Sequence, residues 1–181
     1  MGTRERLLEN GAALFATKGF HGVGVEELGE SVGLTGPSMY RHFRTKGALL
    51  AEMLITVSQS LLEGATEVIE ENLDPKQTLA ALIDRHVEFA ISYPDLIKVH
   101  ERDFGNLEED DARQVRRLQR RYVELWVDQI QRVRQNETTE TARIMAHAVF
   151  GMLNSTPRLR TNQQRNEVAT LMRGLAQKAL L

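Results

Sequence analysis

The 181-residue chain contains no cysteine, which excludes disulfides, thiolate catalysis and cysteine-based zinc sites. It has only 4 prolines, and its long uninterrupted stretches repeat apolar residues at helical spacing, without a lasting strand alternation. We see no run of about 18 apolar residues, so no transmembrane helix is expected. The N-terminus has no apolar signal segment, which predicts a cytoplasmic protein.

Charged residues are abundant but nearly balanced. The chain has 23 Lys and Arg against 25 Asp and Glu, a net charge of −2, so its overall charge does not favour polyanions. Any affinity for nucleic acid must come from local placement. One such place exists, because the charged residues between Glu30 and Glu52 are Arg41, Arg44 and Lys46, all positive.

The stretch around these cations has the pattern of two short helices joined by a glycine turn. The first is predicted over Val25–Val32 and ends at Gly33. The second is predicted over Thr35–Phe43, with Thr35 as its cap and Pro37 in its first turn, where a missing N–H costs nothing. This pattern is typical of a helix-turn-helix that places its second helix in a DNA groove.

The rest of the chain predicts further helices. Apolar residues recur at helical spacing in a first helix over Thr3–Thr17, in a helix that begins at Lys46, and in a longest helix over Asp110–Arg134. We therefore predict an all-α protein of about nine helices. Residues 1–46 would form a three-helix DNA-binding domain, and residues 47–181 a helical bundle.

The N-terminal segment, as far as about Met53, also carries a family resemblance. Its landmarks are Ala13-x-Phe15, Lys18-Gly19-Phe20, Val25-x-x-Leu28, Val32-Gly33-Leu34, Ser38-x-Tyr40-x-His42-Phe43 and Lys46. In order and spacing these resemble the DNA-binding domain of the TetR/AcrR family of bacterial transcriptional regulators. Beyond this segment, only the number and length of the helices agree with the family. There are two departures: Gly36 stands where many members carry Lys or Arg, and Gly47 where an acidic residue is usual.

The resemblance implies roles for the matching positions. Ser38 and Arg41 would lie near base edges, where an arginine that forks onto guanine contributes about 1–3 kcal/mol of discrimination. Tyr40, His42 and Lys46 would hold phosphates, which set the position of the protein on the duplex. The predicted DNA-binding residues are Val25, Thr35, Gly36, Ser38, Tyr40, Arg41, His42 and Lys46.

The resemblance further implies a homodimer that represses by occupying an inverted repeat. In the family, the last two helices of each subunit pair into a four-helix interface. Two apolar stripes near the C-terminus suit that role. They consist of Ile144, Ala148, Phe150 and Met152, and of Val168, Leu171, Met172 and Leu175.

The C-terminal body carries large apolar side chains on several consecutive helices, more than dimerisation alone requires. This predicts a pocket for a small apolar or amphipathic effector that weakens DNA binding. Fatty acids, acyl thioesters, steroids and aromatic molecules all remain open as effectors. The predicted pocket residues are His86, Phe89, Tyr93, Phe104, Tyr122, Trp126 and Phe150.

No metal or cofactor is predicted, because His86, His100 and Glu101 lack ligand spacing such as His-Glu-x-x-His. An enzyme is the chief alternative, but no Ser-His-Asp set or paired carboxylate supports it, and we predict that the protein is not an enzyme. An unregulated architectural DNA-binding protein is a second alternative. The choice between repressor and activator also stays open.

Overall fold

A computed structural model describes residues 2–181. Over that range the chain forms nine α-helices, two short 3-10 turns and no β-strand, which confirms the all-α prediction. The helices are α1 (Thr3–Lys18), α2 (Val25–Glu30), α3 (Gly36–Met39), α4 (Lys46–Glu70), α5 (Pro75–Ser92), α6 (Pro94–Asp103), α7 (Glu109–Val133), α8 (Thr139–Leu153) and α9 (Arg165–Leu180).

Several helices begin where side chains satisfy the free backbone N–H groups of a first turn. Asp74 accepts from the N–H groups of Lys76 at 3.0 Å and Gln77 at 3.3 Å, which starts α5. Thr138 accepts from the N–H of Thr141 at 3.1 Å and starts α8. The first turn of α7 contains three acidic residues, which complement the positive end of the helix dipole.

The helices form two compact units, each with its own apolar core. The first consists of the residues up to Val57 together with Asp95–Arg116, and the second of Ser58–Pro94 together with Arg117–Leu181. Leu28, Met39 and Phe43 are buried in the first core and are therefore not free to contact DNA. The functional division after residue 46 stays a prediction, because packing does not show which part senses a ligand.

Helix α4 is long and apolar enough, by length and hydropathy alone, to cross a membrane. We predicted no transmembrane helix, so the burial of α4 decides how it is assigned. Half of its most apolar window is buried inside the protein. Leu49 and Leu54 are fully buried in the first core, and Ala65 and Val68 are buried in the second. We therefore assign α4 as a core helix.

Candidate nucleic-acid interface

Helices α2 and α3 pack closely because glycine occupies both sides of their contact. A Cβ atom at Gly29 would lie 2.8 Å from the backbone oxygen of Thr35, and one at Gly36 would lie 3.1 Å from the Cα of Glu26. The turn between the helices contains Gly33 with a φ of 77°, a conformation that glycine adopts without strain. The predicted helix-turn-helix is therefore present, and Gly36 is a packing position.

The recognition segment is shorter than predicted. We expected a helix as far as Phe43, but α3 ends at Met39 and the chain continues in tighter turns. The N–H groups of Tyr40 and Arg41 bond back three residues, at 3.2 Å in each case. Aromatic residues and histidine are weak helix formers, and the run from Tyr40 to Phe43 contains three of them, so local propensity does not extend the helix.

The predicted cap of this helix also differs in detail. The Thr35 side chain makes no hydrogen bond to a backbone N–H of α3. Its hydroxyl instead pairs with the Ser38 hydroxyl at 2.8 Å. The cap seen next in the chain is Thr45, whose Oγ1 accepts from the N–H of Ala48 at 2.9 Å and starts α4.

The predicted DNA-binding residues differ in how far they reach solvent. Tyr40 and Arg41 are exposed, as is Thr35. Val25, at the start of α2, and Lys46, at the start of α4, are partly buried. Ser38 and His42 are partly buried and Gly36 is buried. The structure thus gathers one exposed arginine and one exposed tyrosine on the turn that follows α3.

Lys46 is held by the protein itself. Its ammonium donates to the backbone oxygens of Phe20 at 2.7 Å and Val23 at 2.8 Å, and lies 4.5 Å from the centroid of the Phe20 ring. These contacts fix the loop between α1 and α2 to the start of α4. The predicted phosphate contact of Lys46 stays untested, and it has to compete with these internal partners.

Two residues of α6 hold the same loop, and the sequence pattern did not single them out. Asp103 is 3% exposed and accepts from the N–H of Phe20 at 3.2 Å. Arg102 donates to Asp103 at 3.2 Å and also to the backbone oxygen of Phe15 at the end of α1. Nothing in the sequence around Arg102 and Asp103 indicates that these side chains bind backbone groups more than 80 residues earlier in the chain.

The second unit contains a buried aromatic cluster that includes most of the predicted pocket residues. The rings of Trp126 and Phe150 lie 4.8 Å apart between centroids, and those of His86 and Phe150 lie 4.9 Å apart. The cluster also contains Tyr122, whose ring centroid is 5.5 Å from that of Phe150. Phe89 stacks on the exposed ring of Tyr93 at the edge of this group.

The cluster has a polar centre at His86. Its Nδ1 lies 2.9 Å from the Tyr122 hydroxyl and its Nε2 lies 3.1 Å from Oδ1 of Asn154. Because an amide oxygen only accepts, this arrangement places the proton on Nε2 and makes Tyr122 donate to Nδ1. Asn154 follows α8 and was not predicted. Among the described residues, the buried indole Nε1 of Trp126 has no hydrogen-bond partner.

Burial keeps the titratable groups of this centre neutral. It lowers the pKa of His86 from 6.5 to about 4, a shift that the Asn154 hydrogen bond partly opposes. Burial also raises the pKa of Tyr122 well above its ordinary value. The centre is therefore an uncharged hydrogen-bonded chain inside an apolar core.

We expect His86 to make the folded state sensitive to acid. The unfolded chain binds a proton near pH 6.5 and the folded chain only near pH 4, so the contribution of His86 is complete above pH 6.5 and is lost as the pH falls towards 4. The loss reaches about 3 kcal/mol. Urea unfolding of the wild type and of His86→Gln at about pH 7, 5.5 and 4.5, which span the two pKa values, measures this loss of stability. Parallel pH dependences in the two proteins would contradict this assignment.

Phe104 does not belong to the aromatic cluster of the second unit. It packs against the core of the first unit, with its ring centroid 5.3 Å from that of His100. In the second unit, an open groove of about 460 Å³ contains none of the predicted pocket residues. Its lining is Gln59, Leu62, Glu63, Thr66, Glu67, Glu70, Leu118 and Arg121. The effector pocket therefore stays a prediction.

Helix α7 contains five arginines between Arg113 and Arg121, and acidic residues of its own first turn neutralise part of this charge. Arg113 pairs with Asp110, and Arg116 pairs with Glu109 at 2.8 Å. Arg117, Arg120 and Arg121 are exposed. Over residues 2–181, no group of three or more His, Asp or Glu side chains is arranged to hold a metal ion.

A helix-turn-helix that presents an arginine and a tyrosine, joined to a separate helical core, defines a DNA-binding regulator. Two family models match the chain: bacterial regulatory proteins of the tetR family, over residues 7–53, and the tetracyclin repressor-like C-terminal domain, over residues 72–158. Together they cover about three quarters of the chain. The chain belongs to the TetR family of bacterial transcriptional regulators, whose members regulate transcription and are not enzymes.

Among the similar proteins are two curated regulators and one solved structure. The transcriptional repressor KstR2 of Rhodococcus jostii is 25% identical over 127 residues, which are 70% of this chain and 62% of that protein. The transcriptional activator FasR of Mycolicibacterium smegmatis is 27% identical over 86 residues, 48% of this chain and 39% of that protein. The structure of AibR in complex with isovaleryl coenzyme A and operator DNA has a TM-score of 0.79 at 15% identity, over 96% of this chain and 97% of that one.

These matches differ in what they support. The chain spans less than two thirds of the length of the two curated relatives it matches. The solved structure is too distant in sequence to support more than the shared fold. The family and its DNA-binding, transcription-regulating role are therefore shown for this chain, whereas the operator, the effector and the sign of regulation are matters for proposal.

Proposed function

We propose that two copies of this chain bind an inverted-repeat operator, repress transcription from it, and release it when a small apolar or amphipathic effector binds. The observation that carries the proposal is the single recognition segment in each chain, which reads one half-site and needs a second copy for a two-fold site. Repression follows the relative KstR2, which is a repressor, although FasR is an activator. A protein that acts on operator DNA would work in the cytoplasm.

The surface proposed for dimerisation lies on the solvent-facing sides of α8 and α9. Ile144 on α8 is 64% exposed, and Leu171 and Leu175 on α9 are 55% and 42% exposed. Among residues 2–181, no other atom lies within 4 Å of a Cβ position at Gly151 or Gly174, which would let a partner helix approach closely. Large exposed apolar side chains beside open glycines are typical of a helix-packing surface.

The predicted apolar stripes divide between this surface and the core. Phe150, Val168 and Met172 are buried in the chain's own second core and are not free to meet a partner. Met152 is partly buried and packs against the same core. The proposed interface therefore consists of Ile144, Ala148, Leu171 and Leu175, the members of the stripes that face solvent.

The proposed effector would bind within the second unit, near the aromatic cluster around His86. The cluster offers apolar rings and, among the described residues, one buried side-chain N–H that lacks a well-formed hydrogen bond, Trp126 Nε1, which suits an apolar molecule with an acceptor oxygen. AibR, crystallised with an acyl thioester of coenzyme A, supports testing such thioesters first. Trp126 is the single tryptophan, so its fluorescence reports binding in a screen that also includes fatty acids, steroids and aromatics.

Arg41→Ala is expected to relax the preference for one base position, with a loss of about 1–3 kcal/mol on the operator and little loss on random DNA. The reason is that Arg41 is exposed on the turn after α3, where a base edge is within reach of its fork. Fluorescence anisotropy on the operator, on base-substituted operators and on random DNA measures the loss. DNase footprinting of the wild type should protect two symmetric half-sites.

Lys46→Ala provides a contrasting variant in the same titration. We expect it to weaken binding to all sequences alike and to lower the stability of the first unit, because it removes the two bonds to the Phe20–Val23 loop. Equal losses on operator and random DNA for both variants would overturn the assignment of Arg41. Protection of one isolated half-site by a monomer would overturn the proposal that the protein binds DNA as a dimer.

A further inference from the structure

Arg4, in the first turn of α1, binds three parts of the first unit at once. Its Nε donates to Oε1 of Glu52 at 2.9 Å, and its Nη2 makes a second bond to the other oxygen of the same carboxylate. Its Nη1 donates to the backbone oxygen of His42. Its guanidinium carbon lies 4.3 Å from the centroid of the Phe43 ring. One guanidinium thus joins α1, α4 and the end of the recognition segment.

The part of the recognition segment that Arg4 holds has little support of its own. The residues after Met39 are in turns and not in an α-helix, so their carbonyls lack the regular ladder that would fix them. Nη1 of Arg4 donates to the carbonyl of His42, and the Phe43 ring that faces the guanidinium is buried. Arg41 precedes His42 directly, so the position of its backbone depends on this anchor.

We propose that Arg4 is a positioning residue for DNA reading: it sets where Arg41 and His42 stand relative to α4 and does not itself contact DNA. The proposal rests on the proposed function, in which Arg41 and His42 contact the operator. A two-bond fork onto one carboxylate is geometrically specific. The bonds to Glu52 and to the His42 carbonyl engage all three guanidinium nitrogens and use three of the five N–H donors.

The competing interpretation is that Arg4, about half exposed, is simply another phosphate contact. The two interpretations make opposite predictions for Glu52. If Arg4 binds phosphate, Glu52→Gln frees the guanidinium and removes a negative charge, so DNA binding strengthens or stays the same. If Arg4 is a positioning residue, the same substitution loosens the anchor, and operator binding weakens although the protein becomes less negative.

The experiment compares Arg4→Ala, Arg4→Lys and Glu52→Gln in the full-length chain, by anisotropy on operator DNA over a range of salt concentrations. Lys98→Ala is the matched control, because Lys98 forms a partly exposed ion pair with Asp95 within α6 of the same unit. We expect Arg4→Ala to weaken operator binding about tenfold, the size of one lost base contact. Arg4→Lys and Glu52→Gln should weaken it by smaller factors, and Lys98→Ala should leave it unchanged.

The salt dependence separates positioning from phosphate contact. A lost phosphate contact lowers the slope of log K against log salt by about 0.9, whereas a positioning residue leaves the slope unchanged. A slope lowered by that amount in Arg4→Ala, or unweakened operator binding in Glu52→Gln, would overturn the proposal. If Arg4→Ala does not fold, Glu52→Gln and Arg4→Lys still decide between the two interpretations.

A measurement without DNA keeps this test distinct from a test of the proposed function. In the free protein, Arg4→Ala and Glu52→Gln should shift the backbone amide resonances of Arg41, His42 and Phe43, and Lys98→Ala should not. Shifts without any loss of operator affinity would contradict the role of Arg41 and His42 in DNA reading, whereas unshifted resonances would contradict the positioning role of Arg4 itself.

Discussion

Replacing Leu171 and Leu175 with glutamate is expected to give a folded monomer that no longer holds its operator. Both side chains are largely exposed in the single chain, so the substitutions remove little from its own core. In the proposed dimer the same positions would be buried against a partner, where an unpaired carboxylate costs several kcal/mol. With two such charges in each copy, operator affinity should fall at least about a hundredfold.

Sedimentation or light scattering gives the oligomeric state, and anisotropy gives the operator affinity. The matched control places glutamate at Gln77 and Gln163, two exposed positions of the second unit, so that the added charge is equal. Circular dichroism should show that both variants keep their helix content. A Leu171→Glu, Leu175→Glu protein that still dimerises and binds the operator would exclude α9 from the interface.

Trp126→Ala is expected to lower the free energy of unfolding by about 3–5 kcal/mol. The indole is fully buried, and its ring contacts those of His86, Tyr122 and Phe150. Its removal leaves a cavity at the centre of the second core. The free energy of unfolding of a domain is only about 5–15 kcal/mol in total, so this one substitution would remove a large part of it.

Urea unfolding followed by circular dichroism measures the loss, because the variant has no tryptophan to report it. Tyr93→Ala is the control at an exposed ring, with an expected change within about 0.5 kcal/mol. A loss below about 1 kcal/mol for Trp126→Ala would mean that the indole does not carry the packing seen here. The size of the expected loss also makes Trp126→Ala a poor variant for separating effector binding from folding.

The helix-turn-helix could be predicted from sequence because its signals are local. Gly33, Pro37 and the landmarks around them act within a few residues, and the turn that they predict is present. The contacts that hold the chain after α3 could not be predicted in the same way. They come from Arg4, which lies 38 residues before His42 and also pairs with Glu52 on the next helix, and a local pattern contains no information about such partners.

The position of Lys46 illustrates a second limit of the sequence. A positive charge after a recognition helix is what a phosphate contact requires, and the sequence shows the charge. It does not show the backbone oxygens of Phe20 and Val23, which the fold brings to the ammonium from more than 20 residues away. The sequence therefore shows that a positive charge is present. It does not show that DNA phosphates would have to compete with backbone oxygens of the protein for the Lys46 ammonium.

Helical periodicity has a similar limit in the C-terminal body. It identified Phe150 and Ile144 as members of one apolar stripe, but one is buried and the other is 64% exposed. The spacing of apolar residues gives the face of a helix and not the depth at which each residue lies. For the same reason Phe104 was grouped with Trp126, although the two rings belong to different cores.

The two longest helices each supply residues to both cores. Leu49 of α4 and Val115 of α7 are buried in the first core, while Val68 and Trp126 of the same helices are buried in the second. A fragment that ends at residue 46 would lack Leu49, Leu50 and Leu54, and its DNA-binding domain would lose part of its core. Recombination between relatives therefore cannot exchange this DNA-binding domain by a break at the end of its motif. The helices that both cores share have to be exchanged with it.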